Sequence, residues 1–75
     1  MIVNEKELKK KREWFENLYI ALQKNETYIV NVQVASANIW TTNYEFHGDD
    51  KIVFLYNEGK LAAIVYNIMD IEDVY

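Results

Sequence analysis

Between Asn4 and Lys24 the apolar residues follow a helical period. Leu8, Phe15, Leu18 and Leu22 recur at spacings of seven, three and four, which puts them on one helix face. Trp14 and Ala21 widen that stripe, and Tyr19 flanks it. Lys10, Arg12, Glu13, Glu16 and Asn17 fall mostly outside it. Asn4 suits the N-cap, with Glu7 placed three residues on to complete a capping box. Glu5 and Glu7 complement the positive end of the helix dipole. Lys24-Asn25 predicts the stop, a cation followed by a residue that tolerates left-handed geometry.

After residue 27 the period changes to two. Tyr28, Val30, Val32 and Val34 alternate with Ile29, Asn31, Gln33 and Ala35, as in a half-buried strand. Ser36-Ala37-Asn38 predicts a turn. Trp40, Thr42, Tyr44 and Phe46 then alternate with Thr41, Asn43, Glu45 and His47. This predicts one long second strand with the three rings on one face, ended by Gly48-Asp49-Asp50. Ile52 to Tyr56 is an unbroken apolar run, the pattern of a central strand covered on both faces. Asn57-Glu58-Gly59-Lys60 reads as a hairpin turn and Leu61 to Asn67 as the fourth strand. Its Ala62-Ala63 pair allows close approach by another element. Ile68 to Tyr75 alternates weakly and fits a short closing strand, a 3₁₀ turn or a frayed tail. The expected fold class is α+β: one domain over residues 1–75, with a helix over 4–24 and four or five antiparallel strands over 27–75. The strands form either a meander under the helix or a small, strongly bent barrel.

Size sharpens this picture. A chain of 75 residues buries only about 60% of its unfolded surface, so its stability margin is thin. It has no Cys and one His, which excludes disulfides, thiolate metal sites and a His-rich zinc site. Self-association or a partner protein is the remaining supplement, and strand edges favour a homo-oligomer. The opening MIVNEKELKKKREW has no apolar core of a signal peptide. Leu61 to Met69 is too short to span a bilayer, and a cytoplasmic location is expected.

Charge is unevenly placed. Residues 1–24 hold six basic and four acidic side chains (+2), and residues 25–75 hold two basic and eight acidic (−6), giving the net −4. An acidic strand region repels phosphate and disfavours a broad nucleic-acid footprint. Lys9-Lys10-Lys11-Arg12 does not make one patch, because consecutive helical residues point about 100° apart. Glutamates at i, i+4 spacing can pair with it.

No catalytic constellation is legible. One Ser (Ser36) and one His (His47) lack the third group that orients a nucleophile–base pair. Asp49 and Asp50 are adjacent in a turn, where solvated carboxylates cannot divide acid and base roles. Asp70, Glu72 and Asp73 have no calcium-loop spacing. Gly48 and Gly59 lie too far apart for a phosphate loop. The expectation is no enzyme, no cofactor and no metal.

The element order is similar to that of the Sm-like (Hfq-like) small barrel. A leading helix, a first strand, a long second strand, a central apolar strand, a hairpin and a short terminal strand occur in sequence. Lys51-Ile52-Val53-Phe54-Leu55-Tyr56-Asn57, Leu61 to Tyr66 and Ile68-Met69-Asp70-Ile71 resemble that family's third, fourth and fifth strands. The family's glycine in the bent second strand is missing from Asn38-Ile39-Trp40-Thr41-Thr42-Asn43-Tyr44. The segment Tyr66-Asn67-Ile68-Met69-Asp70 carries no basic residue of the family's RNA-contacting loop. The resemblance therefore implies a barrel able to pair edges into a ring, and no binding residue.

Eleven aromatic side chains, 15% of the chain, exceed what one small core easily hides. Rings left exposed would form a patch of the kind that binds proteins. The expected function is a protein-interaction or regulatory module, such as an acidic inhibitor of the kind mobile elements encode. The alternative is an Sm-like oligomer that stacks RNA bases on its rings. The expected partner-binding residues are Trp40, Tyr44, Glu45, Asp49 and Asp50.

Overall fold

The computed structural model describes residues 4–25 and 29–74. One helix, α1 (Glu5–Lys24), precedes six antiparallel strands: β1 (Val30–Val34), β2 (Ala37–Thr41), β3 (Asn43–His47), β4 (Ile52–Asn57), β5 (Lys60–Val65) and β6 (Ile71–Val74). A 3₁₀ turn over Ile68–Asp70 leads into β6. The strands form two three-stranded sheets, ordered β2-β1-β6 and β3-β4-β5. The fold is α+β, and the sheets do not close into a barrel, because no described strand of one pairs with a strand of the other. No described helix is long and apolar enough to cross a membrane.

The helix begins as its cap dictates. The Asn4 side chain accepts a hydrogen bond from the Lys6 N–H at 2.8 Å, satisfying one donor that the first turn leaves free. The helix ends at Lys24, as expected, but without left-handed geometry. Asn25 has φ −88° rather than a left-handed angle, and its amide nitrogen instead donates to the Ala21 carbonyl at 3.1 Å. The buried stripe is Leu8, Phe15 and Tyr19, with Leu18 and Leu22 partly buried beside it. Tyr19 is therefore core rather than flank, and Trp14 and Ala21 lie on the exposed side.

The long second strand is the main correction. Residues 37–47 form β2 and β3, broken at Thr42, and each half joins a different sheet. The expected turn at Ser36-Ala37-Asn38 tightens to Ala35-Ser36, both at positive φ (46° and 70°), and Ala37 already pairs with Val34. The break has a polar anchor. Thr41 is fully buried, and its hydroxyl lies 2.7 Å from the carbonyl oxygens of both Asn43 and Tyr56. The Thr42 N–H donates to the same Tyr56 carbonyl at 2.7 Å. The Thr42 hydroxyl accepts the Glu58 N–H at 2.9 Å, tying the β4–β5 hairpin to the corner. Tyr28, expected on the first strand, and Tyr75, expected in the closing segment, lie outside the described residues.

The hairpin at Glu58-Gly59 has both central residues at positive φ (51° and 81°), the primed turn that matches strand twist. The core lies between the sheets. Val30 and Val32 face it from β1, Val53 and Leu55 from β4, and Ile71 and Val74 from β6. The helix closes it through Phe15, whose ring meets Tyr44 at 5.2 Å and Phe46 at 5.9 Å, both edge-on. The weakly alternating C-terminal segment is ordered as the 3₁₀ turn and β6, held in place because the Ile68 N–H donates to the Lys51 carbonyl at 2.7 Å.

Candidate functional site

The break at Thr42 separates the residues expected to act together. Trp40, on β2, points outward and is 57% exposed. Tyr44, on β3, points inward, and its ring meets Tyr19 at 4.6 Å and Phe46 at 5.3 Å. Trp40, Tyr44 and Phe46 therefore do not share a face, because the bend between them reverses the alternation. Burial of its hydroxyl pushes the Tyr44 pKa up, with Glu16 adding to the effect and Arg12 opposing it. Tyr44 is partly buried and packs against the core.

The acidic residues also divide. Asp50 pairs with Arg12 of the helix at 2.7 Å, and Arg12 reaches Glu16 at 3.6 Å. Asp49 and Asp50 hold positive φ (57° and 66°) in the turn after β3. Both line a groove of about 710 Å³ with Glu5, Leu8, Lys9 and Lys51. The charges in this groove alternate in sign, which leaves no single-sign field for a ligand. Ser36 lies in the β1–β2 turn and His47 at the end of β3, on different sheets. No group of three metal-ligating side chains occurs among the described residues.

A different surface emerges on β4. Its apolar run is not covered on both faces. Val53 and Leu55 are fully buried, while Ile52, Phe54 and Tyr56 alternate with them on the outer side and keep partial exposure. Strand register extends this face. Phe54 lies opposite Glu45 on β3 and Ile64 on β5, and Tyr56 lies opposite Leu61. Ala62 is the extra residue of a bulge, since Leu55 pairs with Ala63 and Tyr56 with Leu61. The outer face of the β3-β4-β5 sheet thus carries Ile52, Phe54, Tyr56, Leu61 and Ile64 together.

The apolar band continues past the sheet. Leu61, 51% exposed, and Ile29, 46% exposed, line one groove with Ala62, Glu58 and Lys60. Trp40 lies opposite Asn31 on the outer side of β1. One edge of the band is polar. The Tyr56 hydroxyl donates to Glu45 at 2.6 Å, His47 lies 3.5 Å from the same carboxylate, and the His47 ring rests on Phe54 at 4.4 Å. The bond from Tyr56, then that from His47, holds the Glu45 carboxyl below its ordinary range, and the same bond pushes the Tyr56 phenol up.

No family model, curated protein or solved structure matches this chain. The surface therefore rests on its own geometry. Of the five residues expected from sequence, Glu45 lies beside the band, Trp40 is exposed on the outer side of the other sheet, Tyr44 packs partly buried against the core, and Asp49 and Asp50 belong to the turn beside the helix. Phe54, Tyr56 and Leu61 were missed. No period of two appears in the sequence across Ile52–Tyr56, because the run is apolar at every position and reads as a strand buried on both sides; the alternation shows only in the burial.

Proposed function

We propose that this chain is a non-catalytic protein-interaction module and that the outer face of the β3-β4-β5 sheet is its contact surface. One observation carries the reading. The inner side faces the core, where Val53 and Leu55 are fully buried, while Phe54, Tyr56, Leu61 and Ile64 form an apolar face on the outer side. Contiguous apolar surface of this kind marks interaction sites in small proteins. Aromatic anchors beside a hydrogen-bonded polar edge are the usual composition of an interface centre. Glu45 and Glu58 beside the band favour a partner with basic groups near its apolar contact, as an inhibitor of a basic protein would have. The test is affinity capture from the source cell with the wild-type chain and with Phe54→Ser. A partner lost on Phe54→Ser and retained by Lys24→Ala supports the reading. Capture indifferent to Phe54→Ser overturns it.

The Sm-like reading draws support from the same architecture: a long second strand broken at a sharp corner, a hairpin, and a short last strand after a 3₁₀ turn. Its RNA-binding form is tested by a low-salt gel shift with U-rich RNA. A shift lost on Trp40→Ala supports it, and no shift overturns it. Tyr44→Ala is no probe here, since it would open the core.

A further inference from the structure

Among the described residues no strand pairs with the outer edge of β5, and its first three residues, Lys60, Leu61 and Ala62, are exposed. An unpaired edge presents N–H and C=O groups that template another strand. At about 3.4 Å per residue, its six residues give an edge of roughly 20 Å. We infer that the partner for this edge is a second copy of the chain, paired β5 to β5 about a two-fold axis. This rests on the reading of the outer sheet face as a contact surface, which the pairing widens.

Charge and register select this edge over the others. Pairing β3 with itself about its centre sets Glu45 against Glu45, and pairing β6 brings Glu72 and Asp73 of both copies together. Like charges opposite one another destabilise a strand pair. Pairing β2 about Ile39 sets the Asn38 amide against the Trp40 indole. Strand β5 carries no acidic residue and only Lys60 at its start.

The register follows from which side chains point outward. Leu61 and Ile64 are on the outer face, opposite Tyr56 and Phe54. A two-fold pairing that keeps outward residues together sets Leu61 against Ile64 of the second copy and Ala62 against Ala63. The small pair then sits at the axis, where side chains are most crowded. The outer face becomes one six-stranded surface on which Phe54, Ile64, Leu61 and Tyr56 run unbroken across the axis. The same register brings Tyr66 of the second copy beside Gly59 and Lys60. Tyr66 is 75% exposed, and the groove lined by Ile29, Leu61 and Ala62 is there to receive it. An interface of the standard size, about 800 Å² per partner, would take only a modest share of the 5228 Å² surface.

Sedimentation equilibrium on the full chain tests the pairing. The expected result at about 100 μM is a species of twice the 9.0 kDa chain mass, with a dissociation constant raised at least about tenfold by Ala62→Lys. Ala62 is exposed and bulged, and far-UV circular dichroism checks that the variant remains folded. Should it not, concentration-dependent hydrogen-exchange protection of the β5 amides in the wild type gives the same answer. A wild-type chain that stays monomeric overturns the pairing, as does a dimer indifferent to a folded Ala62→Lys or β5 protection that ignores concentration. A monomer whose partner capture still depends on Phe54 overturns the pairing alone. A dimer that dissociates as expected, with capture indifferent to Phe54→Ser, removes the partner-protein reading and leaves the pairing standing.

Discussion

The corner at Thr41 can be tested by removing one hydroxyl. Thr41→Val keeps the side-chain shape and removes the group lying 2.7 Å from the Asn43 and Tyr56 carbonyls. The single hydroxyl proton serves one carbonyl at a time, so one hydrogen bond is lost, about 1 kcal/mol net. The Tyr56 carbonyl keeps the Thr42 N–H at 2.7 Å, which leaves the Asn43 carbonyl as the group deprived. Its desolvation adds about 1 kcal/mol where water cannot replace the lost donor. The extra methyl is buried at a fully enclosed site and returns up to about 0.8 kcal/mol. The expected net loss is about 1–1.5 kcal/mol. Urea unfolding followed by Trp fluorescence suits the test, because Trp40 adjoins the corner. With a slope of about 1 kcal/mol/M for so small a chain, the midpoint should fall by about 1–1.5 M. Thr41→Ser retains the hydroxyl and loses only the methyl, so it reports the packing contribution separately. A Thr41→Val chain as stable as the wild type would refute the argument that this hydroxyl holds the two strand halves at their angle.

The Tyr19 hydroxyl is buried with the Thr41 and Gln23 side chains beside it, so Tyr19→Phe should leave stability within about 1 kcal/mol of the wild type; a larger loss in the same urea titration would show that the hydroxyl is firmly bonded to them. Glu58→Asn should raise the thermal midpoint by a few degrees, because Glu58 sits at φ 51° in the first central position of a primed turn that favours Asn. Gly48→Ala should lower it, as the residue has φ 57° and a Cβ there would lie 2.9 Å from Ile52 Cδ1. The Glu45–Tyr56 bond needs an ionised carboxylate and a protonated phenol. Glu45 titrates below its ordinary value and Tyr56 above its own, so the contribution spans the range between them. It is lost as pH falls through the folded Glu45 pKa or rises through the folded Tyr56 pKa. Carboxyl NMR titration of Tyr56→Phe should show the Glu45 pKa moving back up, and an unmoved titration would deny the bond.

Local interactions made part of this protein readable from its residues. The helix was legible because Asn4 caps it and its apolar stripe repeats every three to four positions, both set within a few residues of chain. The Glu58-Gly59 turn and the stop at Gly48-Asp49-Asp50 were legible for the same reason. The C-terminal strand was ambiguous, because Ile71 and Val74 become buried only once β6 docks on β1. The tertiary structure alone decided what faces the solvent. Residues 40–47 alternate without interruption, and the strand turns at Thr42, where Thr41 and Thr42 bond the distant Tyr56 carbonyl and Glu58 bonds Thr42, leaving Trp40 outside and Tyr44 inside. An apolar run such as Ile52–Tyr56 records that its side chains avoid water in some state. Which of its two faces is buried in the core, and which stays at the surface, is set by the packing of the whole chain.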